Sequence, residues 1–137
     1  MSPTVKDLPY EIVVVDDESV VCELLKQGLN EDNFLVTGVT RPEDARDVVM
    51  ARQPCLVILD MHMPGLNGLE VLKELKRVAP EVPVVLLTGY AGTVERDEAR
   101  RLGACDILSK PVNWNYLRNV AYLSSFLKEP NQKGGRP

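Results

Sequence analysis

Five short apolar runs, separated by segments long enough for a helix, limit most strongly what this chain can fold into. They occupy residues 12–15, 34–39, 56–59, 84–87 and 107–108, and their starts lie 22, 22, 28 and 23 residues apart. Most are rich in β-branched residues, and several are apolar without alternation. That is the pattern of strands buried on both faces.

The intervening segments carry helical periodicity. Val20, Val21, Leu24, Leu25 and Gly28 share one face, with Ser19 placed to cap the start. Pro42 stands where a first turn begins, ahead of Ala45, Val48 and Val49. Leu69, Leu72, Leu75 and Ala79 form a third stripe, stopped by Pro80. A fourth, heavily charged helix is expected over 93–102, before Gly103, and a fifth over 114–127 with Leu117, Val120, Ala121 and Ser124 on one side. Five alternations of strand and helix imply an α/β fold, with a parallel sheet covered on both faces. A leucine-rich solenoid shares the period, but its leucine ladder is missing and the five units differ in sequence.

At 137 residues and 45% apolar content the chain suits one domain with one real core. Residues 1–10 read as an N-terminal extension without an apolar signal core, 11–127 as the domain, and 128–137 as a flexible tail or the start of a linker. No apolar run reaches the length of a membrane span, so a cytoplasmic, membrane-free protein is expected. Sixteen basic against twenty acidic residues, a net charge of −4, argue against direct nucleic-acid binding. Cys22, Cys55 and Cys105 lack metal-ligand spacing and read as reduced, mostly buried thiols.

In an open parallel sheet, function gathers at the carboxyl ends of the strands. The first run is followed by Asp16, Asp17 and Glu18. The third is followed by Asp60, Met61, His62, Met63, Pro64 and Gly65. The fourth leads to Thr88, Gly89 and Tyr90, and the fifth to Ser109, Lys110 and Pro111. Four of five strands deliver a polar or charged group to one edge.

These motifs, in this order and at this spacing over residues 11–127, closely resemble response-regulator receiver domains of two-component signalling. The segments that carry the resemblance are Val15-Asp16-Asp17-Glu18, Asp60 through Gly68, Leu87-Thr88-Gly89-Tyr90-Ala91, and Gly103-Ala104 with Lys110-Pro111. The resemblance implies a flavodoxin-like, doubly wound sheet of five parallel strands in the order 2-1-3-4-5, with five helices. Strands 1, 3, 4 and 5 are then neighbours, and strand 2, which brings no acid or lysine, lies outside.

The resemblance also implies the chemistry. Asp60 would be the phosphoacceptor, attacking a phosphoryl group to form an acyl phosphate. Mg²⁺ would be the cofactor, held by the carboxylates of Asp17 and Asp60, by Asp16 directly or through a water, and by the backbone carbonyl of His62. Lys110 and Thr88 would each contact a phosphoryl oxygen and stabilise charge in a loose transition state. The Lys110–Pro111 bond would be cis. Partners would be a sensor histidine kinase or histidine phosphotransfer protein, and an output domain or protein. Self-association through the fourth helix stays open. Enzymatic activity would be confined to the domain's own phosphoryl transfer and autodephosphorylation.

Each residue has a plainer reading. Asp16, Asp17 and Glu18 could open a helix, Asp60 could cap a turn, Thr88 could be an ordinary strand residue and Lys110 a solvated one. Four such coincidences at one edge favour the site. His62, the single histidine, reads as an exposed loop residue, Trp114 as packing on the fifth helix, and Tyr90 as a shield for the acyl phosphate. An aspartate-nucleophile phosphatase would need a second acid where His62 stands. A nucleotide-binding module would need a phosphate-cradling loop in place of Asp16-Asp17-Glu18. One departure from the family pattern stands out. Ile107 occupies the position, three before the lysine, where an aromatic ring commonly turns inward on phosphorylation.

Overall fold

A computed structural model describes residues 10–63, 66–89 and 93–128. The main elements follow in chain order: β1 (Tyr10–Val15), α1 (Ser19–Asn30), β2 (Phe34–Val39), α2 (Ala45–Arg52), β3 (Leu56–Asp60), α3 (Gly68–Val78), β4 (Val84–Thr88), α4 (Thr93–Arg101), β5 (Asp106–Ser109) and α5 (Trp114–Leu127). The five strands form one parallel sheet in the order β2-β1-β3-β4-β5. The expected doubly wound architecture is the observed one, with β2 at an edge.

The absence of alternation in the apolar runs now has its cause. Val13, Val57, Leu59, Val84, Leu86 and Ile107 face one layer, packed with Ala45 and Val49 of α2, Val71, Leu72 and Leu75 of α3, and Ala99 of α4. Ile12, Val14, Leu56, Ile58, Val85 and Leu87 face the other, against Cys22, Leu25 and Leu29 of α1 and Leu117 and Ala121 of α5. Both sides of each inner strand are therefore dry, and each leucine or isoleucine so buried contributes about 1.5–3 kcal/mol. The sheet is a rigid platform for whatever stands on its rim.

Several boundaries differ from expectation. Ser19 is the first residue of α1, and Glu18 is its N-cap, with no side-chain capping bond. Pro42 opens a 3₁₀ turn, Pro42–Asp44, and α2 begins only after it. Ala79 lies just past α3, where its N–H still donates to the Leu75 carbonyl at 2.8 Å. A small antiparallel hairpin, His62–Met63 with Leu66–Asn67, lies between β3 and α3 where only a loop was foreseen. Its strands are two residues long, below what periodicity can register. Cys22 and Cys55 are buried and Cys105 is exposed. Residues 1–9 and 129–137, expected as extension and tail, lie outside the described residues, as do Pro64, Gly65 and Tyr90. No helix among the described residues is long and apolar enough to cross a membrane.

Candidate functional site

The sheet brings the predicted residues to one rim. Asp16 follows β1 directly and continues its ladder, its N–H donating to the Val39 carbonyl at 3.0 Å. Asp60 and Thr88 are themselves the last residues of β3 and β4, one residue further into the sheet than the apolar runs suggested. That placement buries them: Asp16 is 1% exposed, Asp60 3% and Thr88 0%. Asp17 remains exposed. Lys110 follows β5, and its N–H donates to the Thr88 carbonyl at 2.8 Å. The Lys110–Pro111 bond is cis, as the sequence resemblance implied.

Lys110 Nζ donates to Asp60 Oδ1 at 3.1 Å, an ion pair with one buried and one partly exposed member. Asp16, Asp17 and Asp60 each present a carboxylate oxygen, and these oxygens lie within 4.8 Å of one another. At that separation each pair of full charges repels by about 3–4 kcal/mol at an effective dielectric near 20. One ammonium cannot neutralise three carboxylates.

The strain shows in Asp16. Its carboxyl is pushed up to about 6. Burial is the largest cause, opposed by the Glu18 N–H that donates to Oδ1 at 3.0 Å; the charge of Asp60 raises it further and that of Lys110 lowers it. Its other oxygen, Oδ2, is buried without a hydrogen-bond partner among the described residues. A buried carboxylate oxygen with nothing to bind is costly, and each such case calls for an explanation. Three hard oxygen donors, an excess of negative charge and one orphaned oxygen together fit a hard divalent cation.

Two glycines that sequence reasoning left without a role hold the site from behind. A Cβ on Gly68 would stand 2.7 Å from Met61 Cα and 2.8 Å from Met61 O, and the Gly68 N–H donates to that carbonyl at 3.2 Å. The start of α3 is thereby pressed onto the residue after Asp60. A Cβ on Gly28 would stand 2.5 Å from the Trp114 ring, so α1 carries a seat for the first residue of α5. Trp114 was expected to pack on the fifth helix; it is the first residue of that helix, and its ring packs against α1 instead. The backbone of His62 pairs with Asn67 in the hairpin. Ile107 is 4% exposed and belongs to the core layer that holds Leu86, Ala99 and Ala104.

The family model of the response regulator receiver domain matches residues 12–122. The chain belongs to this family. It is 30% identical over 110 residues to sporulation initiation phosphotransferase F of Bacillus subtilis, covering 80% of this chain and 89% of that protein. It is 35% identical over 104 residues to response regulator MprA of Mycolicibacterium vanbaalenii, covering 76% of this chain but only 45% of that longer protein. Among solved structures, a response regulator receiver domain protein from Clostridium thermocellum superposes with a TM-score of 0.80 at 29% identity, covering 87% of this chain and 96% of that one. The protein is thus a receiver domain, a phosphorylation-dependent switch of two-component signalling, and such a switch requires a kinase or phosphotransfer partner.

Proposed function

We propose that Asp60 is the phosphoacceptor of this receiver domain, with Lys110 and Thr88 as the groups that stabilise the transferring phosphoryl. The observation that carries this reading is the buried Asp60 carboxylate, ion-paired to Lys110 and crowded by two further acids. A donor phosphohistidine, on a histidine kinase or phosphotransfer protein, meets the Asp60 carboxylate in line. A P–O bond to Asp60 forms as the P–N bond breaks, and the leaving imidazole takes up a proton. Lys110, already at hydrogen-bond distance, follows the negative charge from the carboxylate to a phosphoryl oxygen. Thr88, fixed at the end of β4 beside Lys110 by the backbone bond between them, directs its hydroxyl to another.

Mg²⁺ would be held by Asp16, Asp17, Asp60 and the backbone carbonyl of His62, and when bound it supplies the charge neutralisation that lets a dianion approach three carboxylates. The remaining chemistry is confined to hydrolysis of the domain's own acyl phosphate, and the setting is the cytoplasm. Output runs to a protein or domain whose affinity differs between the two states. Ile107, fixed in the core, has no ring to turn inward, so the response at the face of α4, β5 and α5 is smaller or takes another route.

The test is incubation with acetyl phosphate and Mg²⁺, read by intact mass. A single phosphate adduct that is absent in Asp60→Asn supports the assignment. An adduct that persists in that variant, or none in the native chain with metal present, overturns it.

A further inference from the structure

The first turn of α5 is pinned from two sides. Trp114 points its ring at α1, into the seat that Gly28 leaves open. Tyr116 comes two residues later, about 200° around the helix, and its hydroxyl donates to Asp106 Oδ2 at the start of β5. Asp106 is a fixed acceptor. Its other oxygen, Oδ1, takes the Ile107 N–H at 2.8 Å, and the Ile107 side chain is locked in the core. With both oxygens engaged, the carboxylate cannot turn without giving up a bond. The hydrogen bond and the charge of Asp106 raise the Tyr116 phenol above its ordinary value, so the hydroxyl remains a donor across the neutral range. Position 107 is thus an anchor, and the ring at this edge of the sheet stands on the next element instead.

What the pairing encloses is the lysine. Asp106 and Tyr116 stand at the two ends of the segment 106–116, with Lys110 near its middle. Residues 110–113 belong to no strand or helix. The Lys110 N–H holds the Thr88 carbonyl at 2.8 Å, and Asn113 Oδ1 caps α5 by accepting the Tyr116 N–H at 3.0 Å. From there the Lys110 ammonium has to pass the end of β4 to meet Asp60 Oδ1 on β3 at 3.1 Å. Its side chain is partly exposed, so packing leaves it free on one side. Its reach therefore depends on where β5 ends and where α5 begins.

We infer that Tyr116 is a positioning residue for phosphoryl transfer: by tying the start of α5 to β5 through Asp106, it fixes the origin from which Lys110 reaches Asp60 and the incoming phosphoryl group. This rests on the roles given above to Asp60 and Lys110. Tyr116 acts through Lys110, since its own hydroxyl is committed to Asp106. Small displacements of such a charge weigh heavily, because a misplacement of about 1 Å can cost on the order of a hundredfold in rate.

Tyr116 is 43% exposed, so Tyr116→Phe removes the hydroxyl without opening a cavity. Phosphorylation of this variant by acetyl phosphate with Mg²⁺, followed by intact mass, should be slower by about fivefold, while its unfolding in urea stays cooperative. The lysine separates this from a merely structural role. In a Lys110→Ala background the same substitution should cost nothing further, because the group it positions is gone. Amide shifts of the unphosphorylated Phe variant should move at Ile107 and Lys110 and hold at Asp16 and Asp17. The inference is overturned by a native rate in Tyr116→Phe, by a loss of equal size with and without Lys110, or by amide shifts that leave Lys110 unmoved. A native rate in Lys110→Ala alone would remove the role of the lysine, and this inference with it. A slow Lys110→Ala beside an unimpaired Tyr116→Phe sinks the inference and spares that role.

Discussion

Replacing Asp16 with Asn removes one of the charges that the site cannot neutralise by itself. Burial and neighbouring acids raise the Asp16 carboxyl from 3.8 to about 6. A shift of about two pH units, at about 1.4 kcal/mol each, means that ionised Asp16 costs the cation-free folded chain roughly 3 kcal/mol. The sign follows from linkage. A raised folded-state pKa means the folded chain holds its proton more tightly, so the cost is absent below the unfolded value near 4. It grows as pH rises and is complete above about 6. Asn keeps an oxygen for the Glu18 N–H and discards the charge. Asp16→Asn should therefore be more stable than the native chain by up to about 3 kcal/mol near pH 7.5 in chelator, a rise in Tm of roughly 10 °C. The gain should shrink as pH falls from 6 to 4. Mg²⁺ should raise the Tm of the native chain, in proportion to RT ln(1 + [Mg²⁺]/Kd), and that of the variant much less. Thermal melts at several pH values, with EDTA or Mg²⁺, read all three effects. Equal stability at neutral pH in chelator, or a gain that persists unchanged at pH 4, would refute the argument that buried charge at Asp16 is the cost.

Other consequences are open to direct measurement. Lys110→Ala leaves the buried Asp60 carboxylate without its ammonium and should slow phosphorylation by acetyl phosphate about a hundredfold, as followed by intact mass over time; an unchanged rate would remove Lys110 from the mechanism. Gly68→Ala forces a Cβ to within 2.7 Å of the Met61 backbone, and should cost about 1–3 kcal/mol in urea unfolding while also lowering Mg²⁺ affinity through the displaced loop. Amide chemical shifts with and without beryllofluoride should change strongly at Thr88 and Lys110 and weakly at Ile107. A shift at Ile107 as large as elsewhere on the α4–β5–α5 face would show that isoleucine transmits the signal as well as a ring.

The sequence was most informative where burial is two-sided. The runs at 12–15 and 56–59, buried at every position, could hardly be anything but strands, since short continuous apolar stretches rich in β-branched residues and bounded by polar ones have few other uses. The strand ends were off by one at Asp60 and Thr88, because a polar residue reads as the end of an apolar run even when the backbone ladder continues through it. The site was legible as a set of residue types at one rim. What could not be read was its energetic state: the orphaned Oδ2 of Asp16 and its raised carboxyl depend on the closeness of three side chains from two strand ends. Gly28 and Gly68 were in plain view as residues, but their roles depend on what stands opposite them: Trp114, distant in sequence from Gly28, and Met61, brought back onto Gly68 by the hairpin between them. The pairing of Tyr116 with Asp106 was missed for a related reason. Helical periodicity finds the buried stripe of Leu117 and Ala121, yet it is blind to what an exposed side chain on another face reaches.

The seat of Trp114 on Gly28 has a use beyond packing. Trp114 is the only tryptophan in the chain, four residues past Lys110, and its ring rests on a helix that the active rim itself launches. The protein thereby carries its own optical gauge. Any change in the spacing of α1 and α5 alters the surroundings of a single indole, and its emission can follow the conformational state in real time with no label attached.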